Sequence, residues 1–136
     1  QMKETELNIL LVEDEPAIRV FLKISLMKSD LPIGHVFEAE NGKEALEILK
    51  SVQTNFILTD INMPVMDGVE FLTRMHSDPV NKDIPVVAVT SVKTDTVKNM
   101  LRFWGHGYLE KPFMIGELKE QIQKQHSKSN EYYLYG

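Results

Sequence analysis

Apolar and polar positions fall in short blocks whose period switches repeatedly between that of a strand and that of a helix. Asn8–Val12 (NILLV) is an apolar run too short for a helix, and it leads straight into Glu13-Asp14-Glu15. Such a run suits a strand buried on both faces of a parallel sheet. Pro16 comes next, well placed at the first position of a helix, where its missing N–H would be unpaired anyway. That helix is expected to reach about Lys28, with Ile18, Phe21, Leu22, Ser25 and Leu26 on one mostly apolar face. Leu31-Pro32-Ile33-Gly34 breaks it. His35–Ala39 reads as a second strand, less apolar and therefore at the sheet edge. Asn41 can cap the following helix, with Glu44 three residues on as in a capping box, and Ala45, Leu46 and Leu49 facing inward.

Phe56-Ile57-Leu58-Thr59 predicts a third, fully buried strand that ends in Asp60, with Pro64 and Asp67-Gly68 forcing a loop before the next helix. That helix is expected over Val69–His76, with Val69, Leu72 and Met75 inward, followed by a polar loop over Ser77–Pro85. Val86–Val89 makes a fourth buried strand ending at Thr90-Ser91. A helix is expected over Asp95–Trp104, using Val97, Met100 and Leu101, and Gly105-His106-Gly107 stops it. Tyr108-Leu109 is a brief fifth strand, Lys111-Pro112 follows it, and Met114–His126 forms the last amphipathic helix with Ile115, Leu118 and Ile122 inward. Strands alternating with helices imply an α/β fold, a (βα)5 doubly wound, five-stranded parallel sheet covered on both faces. Residues 7–126 form one domain. Residues 127–136 read as a C-terminal tail, with no effector domain after them.

Composition narrows the function classes. The chain has 136 residues, 43% hydrophobic and 26% charged, as in an ordinary globular domain. It contains no cysteine, so disulfides, thiol catalysis and cysteine metal sites are excluded. The polar start has no signal-peptide core and no apolar run approaches a membrane span, so the expected compartment is the cytoplasm. A net charge of -5 leaves no basic surplus to neutralise phosphates, which argues against nucleic acid as a partner.

The chemistry lies at the carboxyl ends of the strands, where open α/β sheets bind their ligands. The first strand ends in Glu13-Asp14, the third in Asp60, the fourth in Thr90 and the fifth in Lys111. In a sheet of order 2-1-3-4-5 these groups converge at and beside the switch point. Three carboxylates packed together repel one another, and a proton or a cation relieves the cost. Hard oxygen donors suit Mg2+, which also welcomes a phosphate oxygen. A lysine supplies a point charge for a second phosphate oxygen and a threonine hydroxyl can donate to a third. Aspartate can form an acyl-phosphate, so Asp60 is the natural nucleophile. The constellation reads as phosphoryl transfer onto Asp60. Taken singly, Asp60 could as well cap a helix or start a turn, Thr90 could satisfy backbone, and Lys111 could be a surface residue. Those readings give no reason for all of them to fall at strand ends.

Glu13-Asp14, the Asp60-Ile61-Asn62-Met63-Pro64 run with Asp67-Gly68, Thr90-Ser91, and Tyr108-Leu109-Glu110-Lys111-Pro112-Phe113 resemble the receiver domain of two-component response regulators over roughly Asn8 to His126. The resemblance implies the flavodoxin-like strand order and a phosphoryl group donated to Asp60 by a sensor histidine kinase or a histidine phosphotransfer protein. It implies direct Mg2+ binding by Asp14, Asp60 and the backbone carbonyl of Asn62, with Glu13 assisting directly or through water. It further implies that Lys111 pairs with the phosphoryl group and that the Lys111–Pro112 bond is cis. Thr90 would move onto a phosphoryl oxygen while Tyr108 turns inward, reshaping the face made by the fourth helix, fifth strand and fifth helix. The chain would then be a signalling domain rather than an enzyme, with only its own phosphorylation and dephosphorylation as chemistry. Its output would be a downstream protein or an effector domain of its own, and a phosphorylation-dependent dimer is compatible with these residues.

Several positions depart from that pattern or compete with it. Where the family places Gly-Ala after the fourth helix, this chain has Trp104-Gly105, which alters the helix stop and sets an indole near the output face. Val92 stands close to the site, where an apolar side chain would hinder the attacking water. Haloacid dehalogenase-like phosphatases also use a strand-end aspartate, but they need an acid two residues later, and that place holds Asn62. A receiver-like module that binds partners without phosphorylation is the alternative, although it would not need Asp14, Asp60, Thr90 and Lys111 together. His35, His76, His106 and His126 are dispersed without metal-like spacing and read as surface or loop residues. The seven methionines read as core filler. Tyr132, Tyr133 and Tyr135 read first as a frayed terminus and second as a docking epitope.

Overall fold

The computed structural model describes residues 6–91 and 94–135. Val92 lies outside these residues. The elements follow in the order β1 (Leu7–Val12), α1 (Pro16–Met27), β2 (Ile33–Ala39), α2 (Gly42–Ser51), β3 (Phe56–Thr59), α3 (Gly68–His76), β4 (Val86–Thr90), α4 (Asp95–Phe103), β5 (Gly107–Glu110) and α5 (Ile115–Tyr135). All strands are parallel, in the order β2-β1-β3-β4-β5. β2 lies at the edge, as its mixed composition predicts, and β1, β3 and β4 are central.

The sheet separates two cores. On β1, Leu7, Ile9 and Leu11 face one core while Leu10 and Val12 face the other, the period-2 alternation of a strand apolar on both sides. Leu22 and Leu26 of α1 and Leu118 and Ile122 of α5 close the first core. Ala45 and Leu49 of α2, Phe71, Leu72 and Met75 of α3, and Leu101 of α4 close the second. Phe71 is fully buried although the expected inner face of α3 did not include it. On α1 the expected face is narrower, since Leu22, Ser25 and Leu26 are buried while Phe21 is 45% exposed. The methionines divide: Met63 and Met75 fill the core, whereas Met27 and Met114 are exposed, so core filler describes only part of the set.

Capping explains the helix starts. Asn41 Oδ1 accepts from the backbone N–H of Glu44 at 2.9 Å, and Asp67 Oδ1 accepts from that of Glu70 at 2.9 Å. Pro16 opens α1 at a position needing no backbone donor. The altered stop of α4 resolves as a Schellman ending. Gly105 sits at φ +76°, its N–H donates to the Arg102 carbonyl at 3.0 Å, and His106 N–H donates to the Leu101 carbonyl at 2.8 Å. The indole of Trp104, at the end of α4, is half-buried against the core and stacks on His76 of α3. α5 continues to Tyr135, so the tail expected after His126 is helical in its backbone. No helix among the described residues is long and apolar enough to cross a membrane.

Candidate phosphoacceptor site

Each strand end delivers one group. β1 places Glu13 almost fully buried and Asp14 half-buried, and β3 delivers Asp60, 8% exposed. Oxygens of these three carboxylates lie within 4.8 Å of one another. From the end of β5, Lys111 Nζ reaches Glu13 Oε1 at 2.8 Å and Asp60 Oδ2 at 3.1 Å. The Lys111–Pro112 peptide is cis, as the resemblance implies. Thr90 ends β4, fully buried, and its carbonyl accepts from the Lys111 N–H at 3.1 Å. Asp60, Asp14, Glu13 and Lys111 therefore meet, and Thr90 adjoins them through its backbone bond to Lys111. Tyr108 lies half-buried one strand over, with Lys98 Nζ 5.4 Å from its ring centroid. Asn62 is exposed in the loop after β3, its N–H 3.3 Å from Asp60 Oδ1.

The carboxylate of Asp60 is held by its own loop. Oδ1 accepts from the N–H groups of Ile61 at 2.6 Å and Asn62 at 3.3 Å, while Oδ2 faces the lysine. Burial pushes the pKa of Glu13 up, and the hydrogen bond from Lys111 opposes that. For Lys111, burial acts to lower the pKa, but the bond to Glu13 and the charge of Asp60 outweigh it and the net shift is upward. The lysine is thus a firm cation between two buried carboxylates, which would otherwise lie unpaired at a cost of several kcal/mol.

Two further residues shape the site. Arg19, one turn into α1, donates from Nη1 to the Glu13 carbonyl at 2.7 Å and from Nε to Glu38 at 3.1 Å, fixing the backbone of the acidic loop. Nothing local in the sequence marks it, because both partners belong to other elements. Gly68 opens α3 with its N–H donating to the Ile61 carbonyl at 2.7 Å, and a Cβ there would fall against the Asp60 carbonyl oxygen and Ile61 Cα. The Asp67-Gly68 pair signals a turn, but the close approach to Asp60 emerges only from the fold.

All donors in the acidic cluster are oxygens, and one ammonium already balances part of its charge, so the residues fit a small hard cation. The sequence of residues 9–123 matches the family model of the response regulator receiver domain. The chain belongs to that family. As a receiver domain it is a phosphoacceptor signalling domain that works between histidine kinases and downstream targets, and its acidic pocket is the kind at which receiver domains bind Mg2+. The receiver domain is 36% identical over 119 residues to a chemotaxis protein CheY of Pseudomonas aeruginosa, covering 87% of this chain and 94% of that protein. It is 36% identical over 117 residues to a histidine kinase P4 of Formosa agariphila, covering 85% of this chain and 8% of the kinase. A CheY-like response regulator receiver domain protein from Methanospirillum hungatei shares its fold with a TM-score of 0.82, over 94% of this chain and 99% of that one, at 24% identity.

Proposed function

We propose that Asp60 is the phosphoacceptor of this receiver domain and that a phosphohistidine, on a sensor kinase or a phosphotransfer protein, is its donor. The observation that carries the reading is the bridge from Lys111 to Asp60 Oδ2 and Glu13, made across 51 and 98 residues of sequence. With Oδ1 tied to backbone N–H groups, Oδ2 is the oxygen set to attack phosphorus. The P–O bond forms as the P–N bond to the donor imidazole breaks, and the donor histidine leaves with the electron pair. Lys111 then shifts its ammonium from the carboxylate to a phosphoryl oxygen, so the site exchanges one anion for another around a fixed cation. Glu13, Asp14, Asp60 and the carbonyl of Asn62 are the proposed Mg2+ ligands. When bound, the ion neutralises charge on the transferring group.

The switch is proposed to start at Thr90, whose hydroxyl would turn to a phosphoryl oxygen. Tyr108 would then move inward on the face formed by α4, β5 and α5. The receiver unit is taken as residues 7–126, acting in the cytoplasm as a signalling domain, with self-phosphorylation and dephosphorylation as its only chemistry. The deciding experiment is incubation with acetyl phosphate, with and without Mg2+, followed by intact mass and size-exclusion measurement. The expected result is a Mg2+-dependent gain of one phosphoryl group that Asp60→Asn abolishes. Absence of that gain in folded protein would support a module that binds partners without phosphorylation.

A further inference from the structure

Two of the histidines that look dispersed in the sequence meet in the fold. His76 closes α3 and His106 stands in the turn between α4 and β5, 30 residues away, with their Nε2 atoms 2.7 Å apart. Trp104 stacks on the His76 ring with centroids 4.5 Å apart and 25° between planes, and the two imidazoles lie 4.8 Å apart at 26°. The turn that carries His106 is itself clamped. The buried Gln125 amide, oriented to satisfy both ends, donates to the Gly105 carbonyl at 3.0 Å and accepts from Gly107 N–H at 3.1 Å.

We propose that His76 and His106 form a two-imidazole clip for one divalent transition ion of the copper–zinc class, held between the C-terminus of α3 and the turn into β5. The ion would take the place of the single proton now shared by the facing nitrogens. Metal–nitrogen bonds of about 2.0–2.1 Å set two ligand nitrogens roughly 2.9 Å apart at a right angle and roughly 3.4 Å apart at a tetrahedral one. The observed 2.7 Å needs a few tenths of an ångström of opening and a rotation of both rings, which now meet nearly head-on. The smaller opening belongs to the square arrangement that copper prefers. Burial lowers the pKa of both rings, that of His106 to about 3, so both are neutral near pH 7, the form that binds metal. Asp83 acts on His76 through its charge but does not come within ligating reach of the pair, so water completes the shell. Imidazole donors do not suit Mg2+, so this clip is separate in chemistry from the acidic pocket. It is also separate in space, lying at the amino ends of the strands.

The chain has one tryptophan, and its stacking on His76 makes it a built-in reporter. The experiment is a Cu2+ titration followed by Trp104 fluorescence in an Asp14→Asn, Asp60→Asn background that removes the acidic pocket. Zn2+ is tested in parallel by thermal melting and by the histidine Cε1–H signals. The expected results are saturable quenching at one Cu2+ per chain, its reversal only by a large excess of Zn2+, and a higher melting temperature with Zn2+. His76→Gln and His106→Gln should each weaken Cu2+ binding at least ~10-fold, while His35→Gln leaves it unchanged. No saturable quenching together with no Zn2+ effect on melting would overturn the proposal without recourse to any histidine variant. Quenching with the same midpoint in His106→Gln would overturn it equally and leave the pair a hydrogen bond alone.

Discussion

Val65 offers a sharp test of how the phosphoacceptor loop is built. It lies between Pro64 and Met66 in the loop that carries Asp60 toward α3, its backbone is at φ +68°, and its side chain is 78% exposed. A β-branched residue in the left-handed region is an outlier, and that region costs an L-residue roughly 1–2 kcal/mol. High exposure means that replacing the side chain forfeits little packing. Asparagine visits the region readily, so Val65→Asn should recover about 1 kcal/mol. At about 2.1 cal/mol/K per residue, 136 residues give an unfolding entropy near 0.29 kcal/mol/K, and the gain becomes a rise in Tm of about 3–4 °C. Val65→Gly relieves the same strain but loosens the unfolded chain, returning about 0.4–1 kcal/mol of the gain. The expected order of Tm is therefore Asn above Gly, and Gly at or above Val. Asp30, at φ +64°, serves as control because Asp tolerates this region, so Asp30→Gly should bring no increase. Thermal melts followed by circular dichroism measure all four proteins. A Val65→Asn protein melting at or below the parent would refute the strain argument.

Other expectations follow from the same geometry. Gly68→Ala presses a methyl group onto the backbone of Asp60 and Ile61, which cannot yield, and should cost about 1–3 kcal/mol by urea unfolding and slow phosphorylation by acetyl phosphate. An unchanged midpoint would show that the loop is softer than its hydrogen bonds suggest. Lys111→Met leaves buried Glu13 facing Asp60 without their cation, so Mg2+ should raise the Tm of this variant more than that of the parent. Equal Mg2+ shifts would mean that the lysine does not offset the carboxylates. In metal-free protein, His106 has a folded pKa pushed down to about 3, by burial first and His76 second, against an ordinary 6.5. The unfolded chain binds more protons between those values, so this contribution is complete above pH 6.5 and is lost as pH falls toward 3. The urea midpoint should fall across that window and fall less in His106→Gln; parallel slopes would contradict it.

The fold was legible wherever local pattern and burial coincide. Asn8–Val12 and Phe56–Thr59 are apolar without break because both faces of a central parallel strand meet helices, and their acidic ends show because a carboxylate cannot continue such a run. Asp60, Glu13, Asp14, Thr90 and Lys111 were readable together for the same reason. Other features depend on contacts between distant segments. Arg19 reads as an ordinary helix-surface cation until Glu13 and Glu38 are brought beside it. His76 and His106 carry no common spacing because α3 and the α4–β5 turn are joined only through the sheet. Phe71 was passed over because the 69-72-75 stripe fits one helix face, whereas α3 lies against the sheet and α2 and buries a wider arc. The end of α5 is not legible because Ser127–Tyr135 keeps no apolar stripe from which a helix could be read.

β5 spans four residues at the open margin of the sheet, and consecutive side chains belong to different cores. Tyr108 packs with the layer of α2, α3 and α4, while Leu109 packs with that of α1 and α5. The strand is therefore a seam between two compartments that otherwise share only the sheet. Tyr108 and Leu109 thus tie neighbouring positions of one strand to separate layers, so α4 and α5 are held by different packing. Substitutions in either compartment can accumulate with little effect on the other, and the packing of α4 can drift without retuning the packing that holds α5 in place.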